Sequence, residues 1–92
     1  MAYQSVNPYN GEFLESFEEI GDAGLETALD TAADCYASWS QIPFAGRALV
    51  AYKAAALLRH KVDDFARPVT LEMGKLIAES RAEVLLSAEI LE

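Results

Sequence analysis

The stretch TLEMGK, residues 70–75, ends an apolar-patterned run with a Gly-Lys pair, and its interpretation decides the fold. A phosphate-binding loop needs a glycine five residues before that Gly and a Ser or Thr after the Lys. Val69 and Leu76 occupy those positions, and the preceding residues have a helical pattern. The sequence therefore predicts that Gly74 ends a helix in the left-handed conformation, with Lys75 near the negative end of the helix dipole.

The residues around this stretch predict an N-terminal β-hairpin followed by four helices. The segment NPYNGE, residues 7–12, has turn composition, and its Asn10-Gly11 pair tolerates the positive φ of a tight hairpin. We expect the hairpin over about 3–18 and helices over about 23–39, 45–61, 64–73 and 76–92. Asp22 is the expected N-cap of the first helix, and Asp63 or Asp64 that of the third.

Pro68 lies within the third predicted helix. One turn after a cap at Asp63, its missing N–H removes a backbone hydrogen bond from the helix. We therefore expect either a kink at this residue or a helix that begins near Arg67, with the proline in its first turn.

Two of the predicted helices carry an apolar stripe. The stripe of the first helix has steps of four, three, four and three residues and consists of Leu25, Leu29, Ala32, Tyr36 and Trp39. The stripe of the last helix consists of Ile77, Val84, Leu85, Ala88 and Leu91. No Gly, Asn or Pro ends the last helix, so we expect the natural polypeptide to continue beyond it.

Composition excludes several classes of protein. The 92 residues are 52% hydrophobic and suffice for one small domain, which buries only about 60% of the surface that its unfolded chain exposes. The net charge is −8, and residues 1–46 contain eight acids and no Lys or Arg, which argues against nucleic acid as a partner. No apolar run is long enough to span a bilayer, and no secretory signal is visible. A single cysteine fits a reducing compartment, so we expect a cytoplasmic protein.

An acidic row and two single residues are candidates for chemistry. The row Asp22, Glu26, Asp30 and Asp34 spreads its carboxylates about 6 Å apart along one helix, so a solvated face explains it better than a cation site. Cys35 has no basic neighbour, and we expect it to pack rather than to react. His60 lacks a second histidine or a cysteine that could complete a metal site.

Aromatic side chains at the end of the first helix predict core packing rather than a cofactor platform; they are Tyr36, Trp39 and Phe44. No local constellation of residues supports catalysis. The residues alone therefore indicate an α-rich domain with an N-terminal hairpin and no catalytic, cofactor-binding or metal residue.

Four motifs in their order resemble the start of the aldehyde dehydrogenase superfamily, over essentially the whole chain. VNPYNGE opens the chain and ALDTAADCYASW follows; GRALVAYKAAALLRHKVDDFA and TLEMGKLIAESRAEV complete the set. The opening MAYQSVNP and the stretch EMGKLIAESRAEV most resemble the succinate-semialdehyde dehydrogenases. The chain departs from the family pattern at Leu76, where Pro often follows the Gly-Lys pair, and at Pro68.

The resemblance implies an α/β parent enzyme in which residues 1–92 form the N-terminal part of the NAD(P)-binding domain. Such enzymes oxidise an aldehyde with NAD or NADP: a cysteine thiolate attacks the carbonyl, hydride leaves to the nicotinamide, and a glutamate-activated water releases the acid. The family's catalytic and cofactor motifs lie further along, and neither Cys35 nor Glu72 matches them. We therefore expect this segment alone to be inactive, and the parent to be a homodimer or homotetramer that binds neither nucleic acid nor membrane.

A second hypothesis comes from a different class of protein. The apolar stripes could belong to a free-standing helical module that uses them for protein–protein association. A cooperative melt of the 92-residue chain would favour the module, whereas a molten or aggregating chain would favour a segment of a larger enzyme.

Overall fold

The computed structural model describes residues 2–92 as two short strands followed by four helices. Their bounds are Tyr3–Val6 (β1), Phe13–Phe17 (β2), Asp22–Trp39 (α1), Phe44–His60 (α2), Val62–Met73 (α3) and Ile77–Leu91 (α4). The predicted order of a hairpin and four helices is confirmed. Among residues 2–92, no helix combines the length and the apolar composition that crossing a bilayer requires.

The two strands form an antiparallel hairpin with an irregularity near its turn. Val6 lies opposite Phe13, and the register shifts between Ser5 and Val6. Gly11 has a φ of 74°, whereas the φ of Asn10 is not positive. The side chain of Asn10 instead accepts a hydrogen bond of 2.9 Å from the N–H of Glu12, which holds the turn in a different way from a tight two-residue loop.

The described core lies where α4 packs against both α2 and α3. The buried residues are all small or β-branched: Ala55, Ala66, Ser80, Val84 and Ala88. Such short side chains allow the helix axes to approach closely. The molecule is flattened, with extents of 47 × 36 × 15 Å along its principal axes.

Ser80 is the one polar residue that the described part of the chain buries completely. Its Oγ lies 2.7 Å from the Oγ1 of Thr70, so the two hydroxyls share a hydrogen bond between α4 and α3. A buried hydroxyl without a partner costs about 1–3 kcal/mol, and this bond avoids that cost.

The structure corrects the predicted helix caps. Gly21, in extended conformation, is the N-cap of α1, and Asp22 is the first helical residue. Lys61 precedes α3, and both expected caps of that helix lie in its first turn, where a negative charge still interacts favourably with the dipole. The N-cap makes no side-chain hydrogen bond, and the carboxylate of Asp63 forms an ion pair with Arg81 of α4.

Pro68 lies well inside α3, because the helix begins at Val62 and not near Arg67. A proline at an interior position lacks the N–H that would complete the hydrogen-bond ladder. Ala66, two residues earlier, is fully buried in the core. Packing of α3 against α4 therefore offsets the local cost, as tertiary contacts commonly do for helices.

The apolar stripes have different environments on the two helices. In α4, Val84 and Ala88 are buried, as a packed stripe requires. In α1 no residue is buried. The expectation that the aromatic residues near the end of α1 belong to the core is therefore wrong for this chain: Tyr36 is 69% exposed, and Phe44 and Trp39 are exposed as well. Three further members of the α4 stripe are also exposed, namely Ile77, Leu85 and Leu91.

Replacing Gly74 should destabilise the protein. Gly74→Ala should lower the free energy of unfolding by about 1–2 kcal/mol, because an L side chain is disfavoured at positive φ. The new Cβ would also lie 3.2 Å from Cγ of Pro8. Gly21→Ala is the control for an added Cβ at negative φ, since no atom lies within 4 Å of it, and the loss of a glycine N-cap should cost less than about 1 kcal/mol. Equal losses in urea unfolding for both variants would contradict the left-handed assignment.

The hydroxyl pair between α3 and α4 should show energetic coupling. Ser80→Ala and Thr70→Val, alone and together, form a double-mutant cycle with an expected coupling of about 1 kcal/mol, the usual worth of such a hydrogen bond. The measurement is the urea midpoint of the four proteins. Strictly additive losses would mean that the two hydroxyls do not support each other.

Candidate functional site

Two sequence motifs that lie far apart in the chain meet in space. The turn at residues 7–12 lies against residues 70–75, and together we name them the hairpin–helix junction. Cγ of Pro8 lies 3.2 Å from the point where a Cβ on Gly74 would stand. The hydroxyl of Ser5 donates a hydrogen bond to the carboxylate of Glu72, which joins β1 to α3. Both motifs are therefore parts of one structural contact.

Gly74 ends α3 as the sequence predicts. Its φ of 72° and ψ of 17° place it in the left-handed region, and its N–H donates to the carbonyl of Thr70 at 3.0 Å. Lys75 follows immediately, and its Nζ lies 2.8 Å from Oε2 of Glu83 on α4. Its charge thus pairs with a carboxylate, and the residues before Gly74 are helical rather than a phosphate-binding loop.

A shallow groove of about 380 Å³ borders the junction. Its walls combine the hairpin turn with the end of α3 and the start of α4; they include Asn7, Tyr9, Leu71, Leu76 and Ile77. The polar groups at its edge are engaged, since Lys75 pairs with Glu83 and Thr70 bonds to Ser80. This arrangement can position two elements against each other, but it holds no nucleophile beside a base.

The other candidate residues lie apart from this groove. Cys35 is exposed on α1, so the expectation that it packs is wrong for this chain. His60 is exposed in the last turn of α2. The acidic row of α1 is exposed along its whole length, as a solvated face should be. In the part of the chain that the structure describes, no group of three or more His, Cys, Asp or Glu could hold a metal ion.

A long-range ion pair connects the C-terminal ends of α2 and α4. Nε of Arg59 lies 2.6 Å from Oε1 of Glu92, and Nη2 lies 3.0 Å from Oε2, so the contact is bidentate. The hydrogen bond from Arg59 holds the pKa of Glu92 below its usual range. Any stability from this pair is present above the unfolded pKa of the carboxyl and is lost as pH falls through the folded one. Both side chains are partly exposed, so screening by solvent keeps the contribution small.

Comparison with known proteins identifies relatives along the whole chain. The model of the aldehyde dehydrogenase family matches residues 1–92. The chain is 38% identical over 89 residues to succinate-semialdehyde dehydrogenase [NADP(+)] of Deinococcus radiodurans, covering 97% of this chain and 19% of that protein. It is 36% identical over 84 residues to the probable succinate-semialdehyde dehydrogenase [NADP(+)] of Synechocystis sp., covering 91% of this chain and 18% of that protein.

A solved structure also matches the fold of this chain. The crystal structure of succinic semialdehyde dehydrogenase from Streptococcus pyogenes, in complex with NADP+, superposes with a TM-score of 0.90 at 35% identity. The match covers 98% of this chain and 20% of that one. The chain therefore spans about a fifth of the length of the relatives it matches. Because the family model matches residues 1–92, the chain belongs to the aldehyde dehydrogenase family.

Proposed function

We propose that residues 1–92 are the N-terminal segment of an enzyme that oxidises succinate semialdehyde to its carboxylic acid with NADP+. The observation that carries the proposal is the superposition of nearly the whole chain on a succinic semialdehyde dehydrogenase that binds NADP+. Two relatives at 36–38% identity are named as dehydrogenases of the same substrate with the same cofactor. NADP is accordingly favoured over NAD, which the motifs alone left open.

The segment contributes structure rather than chemistry to this proposed enzyme. Its hairpin–helix junction holds the β1–β2 hairpin against α3, and α4 packs against α3 in turn. We propose that the catalytic thiolate, the general base and the cofactor-binding residues belong to the polypeptide beyond residue 92. On this proposal the segment alone binds no substrate and turns over no aldehyde.

The described residues do not fit a dinucleotide. A pyrophosphate site needs a glycine-rich turn whose backbone N–H groups are open to the phosphates. Of the two glycines with positive φ among residues 2–92, Gly74 has Pro8 against it and Gly11 lies in the hairpin turn. Of the seven Lys and Arg residues, three are paired with carboxylates: Arg59, Lys75 and Arg81. We therefore derive no step through the cofactor from these residues.

The net charge and the exposed apolar side chains bear on the partners and the assembly of the proposed enzyme. We propose a cytoplasmic homodimer or homotetramer that binds neither nucleic acid nor membrane. The net charge of −8 would repel a phosphate backbone. The large number of exposed apolar side chains, among them Phe44, Leu49 and Ile90, supports burial against further protein.

The alternative function is a free-standing module for protein association, and the exposed stripe of α1 favours it in part. The intact mass of the native protein separates the two hypotheses. A native mass of 10.0 kDa would support the module, whereas a mass about five times larger would support the enzyme.

The full-length protein should reduce NADP+ when succinic semialdehyde is added, followed by absorbance of the reduced nicotinamide. We expect NADP+ to give a higher kcat/KM than NAD+, and the 92-residue chain to give no turnover, because on our proposal the reactive groups lie beyond it. Absence of turnover with any aldehyde in the full-length protein would refute the proposed function. Turnover by the 92-residue chain alone would refute the assignment of the chemistry to the rest of the polypeptide.

A further inference from the structure

Both asparagines of the sequence lie in the hairpin turn, and their neighbours give them opposite chemistry. Asn7 precedes Pro8, and Asn10 precedes Gly11. An asparagine is lost when the backbone nitrogen of the next residue attacks Cγ of its side chain, which is one reason why asparagine is thermolabile. Proline has no N–H to give up, whereas glycine has an N–H and no Cβ to hinder the approach. The reaction is therefore open to Asn10 and closed to Asn7.

The reaction at Asn10 needs only water. The N–H of Gly11 loses its proton, and the nitrogen attacks Cγ of Asn10, so that a new C–N bond forms. The bond from Cγ to Nδ2 breaks, Nδ2 takes up a proton and leaves as ammonia, and a cyclic succinimide remains. Water then opens the ring at either of its carbonyls, which gives aspartate or isoaspartate. Water is consumed and ammonia released in equal amounts, and nothing is oxidised or reduced.

The closed turn holds the reacting atoms in hydrogen bonds. The N–H of Gly11 donates to the carbonyl of Asn7 at 2.8 Å. A nitrogen that lost this proton would face the carbonyl oxygen with its negative charge, so the closed turn opposes the first step. Oδ1 of Asn10 accepts from the N–H of Glu12 at 2.9 Å, and Nδ2 of Asn10 lies 3.4 Å from Oε2 of Glu12. Any rotation of the Asn10 amide therefore breaks a hydrogen bond.

Further hydrogen bonds and the contact with α3 keep the turn closed. The N–H of Asn7 donates to the carbonyl of Glu12 at 2.8 Å, and the N–H of Tyr9 donates to Oδ1 of Asn7 at 2.9 Å. The hydrogen bond from Ser5 to Glu72 ties the adjoining strand to α3. The tip of the turn is nevertheless exposed to water. Since water can reach the turn, its hydrogen bonds and not its burial limit the reaction.

We propose that Asn10 is a site of spontaneous deamidation, which the closed turn at the hairpin–helix junction suppresses and which opening of that turn releases. The inference goes beyond the proposed function and does not depend on it, because it concerns the covalent state of the turn and not the turnover of an aldehyde.

The modification would prevent the turn from closing as before. Either product places a carboxylate beside that of Glu12, where the amide of Asn10 now donates, so repulsion replaces a hydrogen bond. Isoaspartate also adds a carbon to the backbone path between residues 10 and 11, next to the positive φ of Gly11. A brief opening of the turn would thus become a permanent change.

The test follows both asparagines in a single peptide of the full-length protein. Samples are kept at neutral pH, folded or in guanidinium chloride, and then cleaved after glutamate, which yields a peptide that ends at Glu12 and contains Asn7 and Asn10. Mass spectrometry detects the change from amide to acid, and fragmentation assigns it to a residue. We expect conversion of Asn10 and not of Asn7. The folded protein should react more slowly by about tenfold or more, because the hydrogen bonds of the turn must open first.

A pair of serine variants tests the part played by the junction. Ser5→Ala removes the hydrogen bond to Glu72, and Ser87→Ala removes a hydrogen bond from an exposed hydroxyl to the carbonyl of Glu83 within α4. Ser5→Ala should raise the rate at Asn10 in the folded protein by about threefold, the equivalent of one weak hydrogen bond. Ser87→Ala should leave that rate unchanged, and both variants should match the wild type in guanidinium chloride.

Three results would overturn the inference. Retention of Asn10 in guanidinium chloride would show that the residue is not a deamidation site. Equal rates in the folded and the denatured protein would show that the turn does not protect it, and equal folded rates in the two serine variants would show that the junction does not control the turn. All of these readouts are masses, so failure of the protein to oxidise succinic semialdehyde would refute the proposed function and leave this inference standing.

Discussion

The conformation of Gly74 is the constraint on which the arrangement of the chain depends. Its positive φ ends α3, and within three residues the chain has reversed into α4, where Ser80 meets Thr70. The same residue leaves room for Pro8, so the hairpin can rest on the end of the helix. A side chain at this position would disturb the helix end and the hairpin contact together. One glycine therefore serves both contacts without the strain that an L side chain would meet there.

The buried core is too small to explain a stable protein by itself. Its five residues are four apolar side chains no larger than valine and one serine, whereas many larger apolar side chains remain in contact with water. Domains of this size have little surplus stability even when they are well packed. The exposed apolar side chains of α2, α3 and α4 therefore add little to the stability of the described chain.

Local features of the fold could be predicted from the sequence, and burial could not. The left-handed conformation of Gly74 was predictable because a glycine after a helical pattern is a local signal for the end of a helix. The helices were predictable from the apolar periodicity. Cys35 and Tyr36 were expected to pack, but periodicity identifies the apolar face of a helix without showing what covers it. Asp63 or Asp64 was expected to cap α3, but both lie inside the helix. Asp63 pairs with Arg81, eighteen residues away, and local spacing carries no information on such a contact. The absence of site residues in this segment stays a prediction.

The contact between Ser5 and Glu72 has a consequence for the order of folding. It joins residues 67 positions apart, whereas α3 and α4 are connected by only a short loop. The entropy of closing a loop rises with its length, so local helix pairs form before distant strands dock. We expect α3 and α4 to pack against each other early and the hairpin to dock on α3 afterwards. The hairpin would then leave the ribosome before α3 and α4 but reach its native place after them.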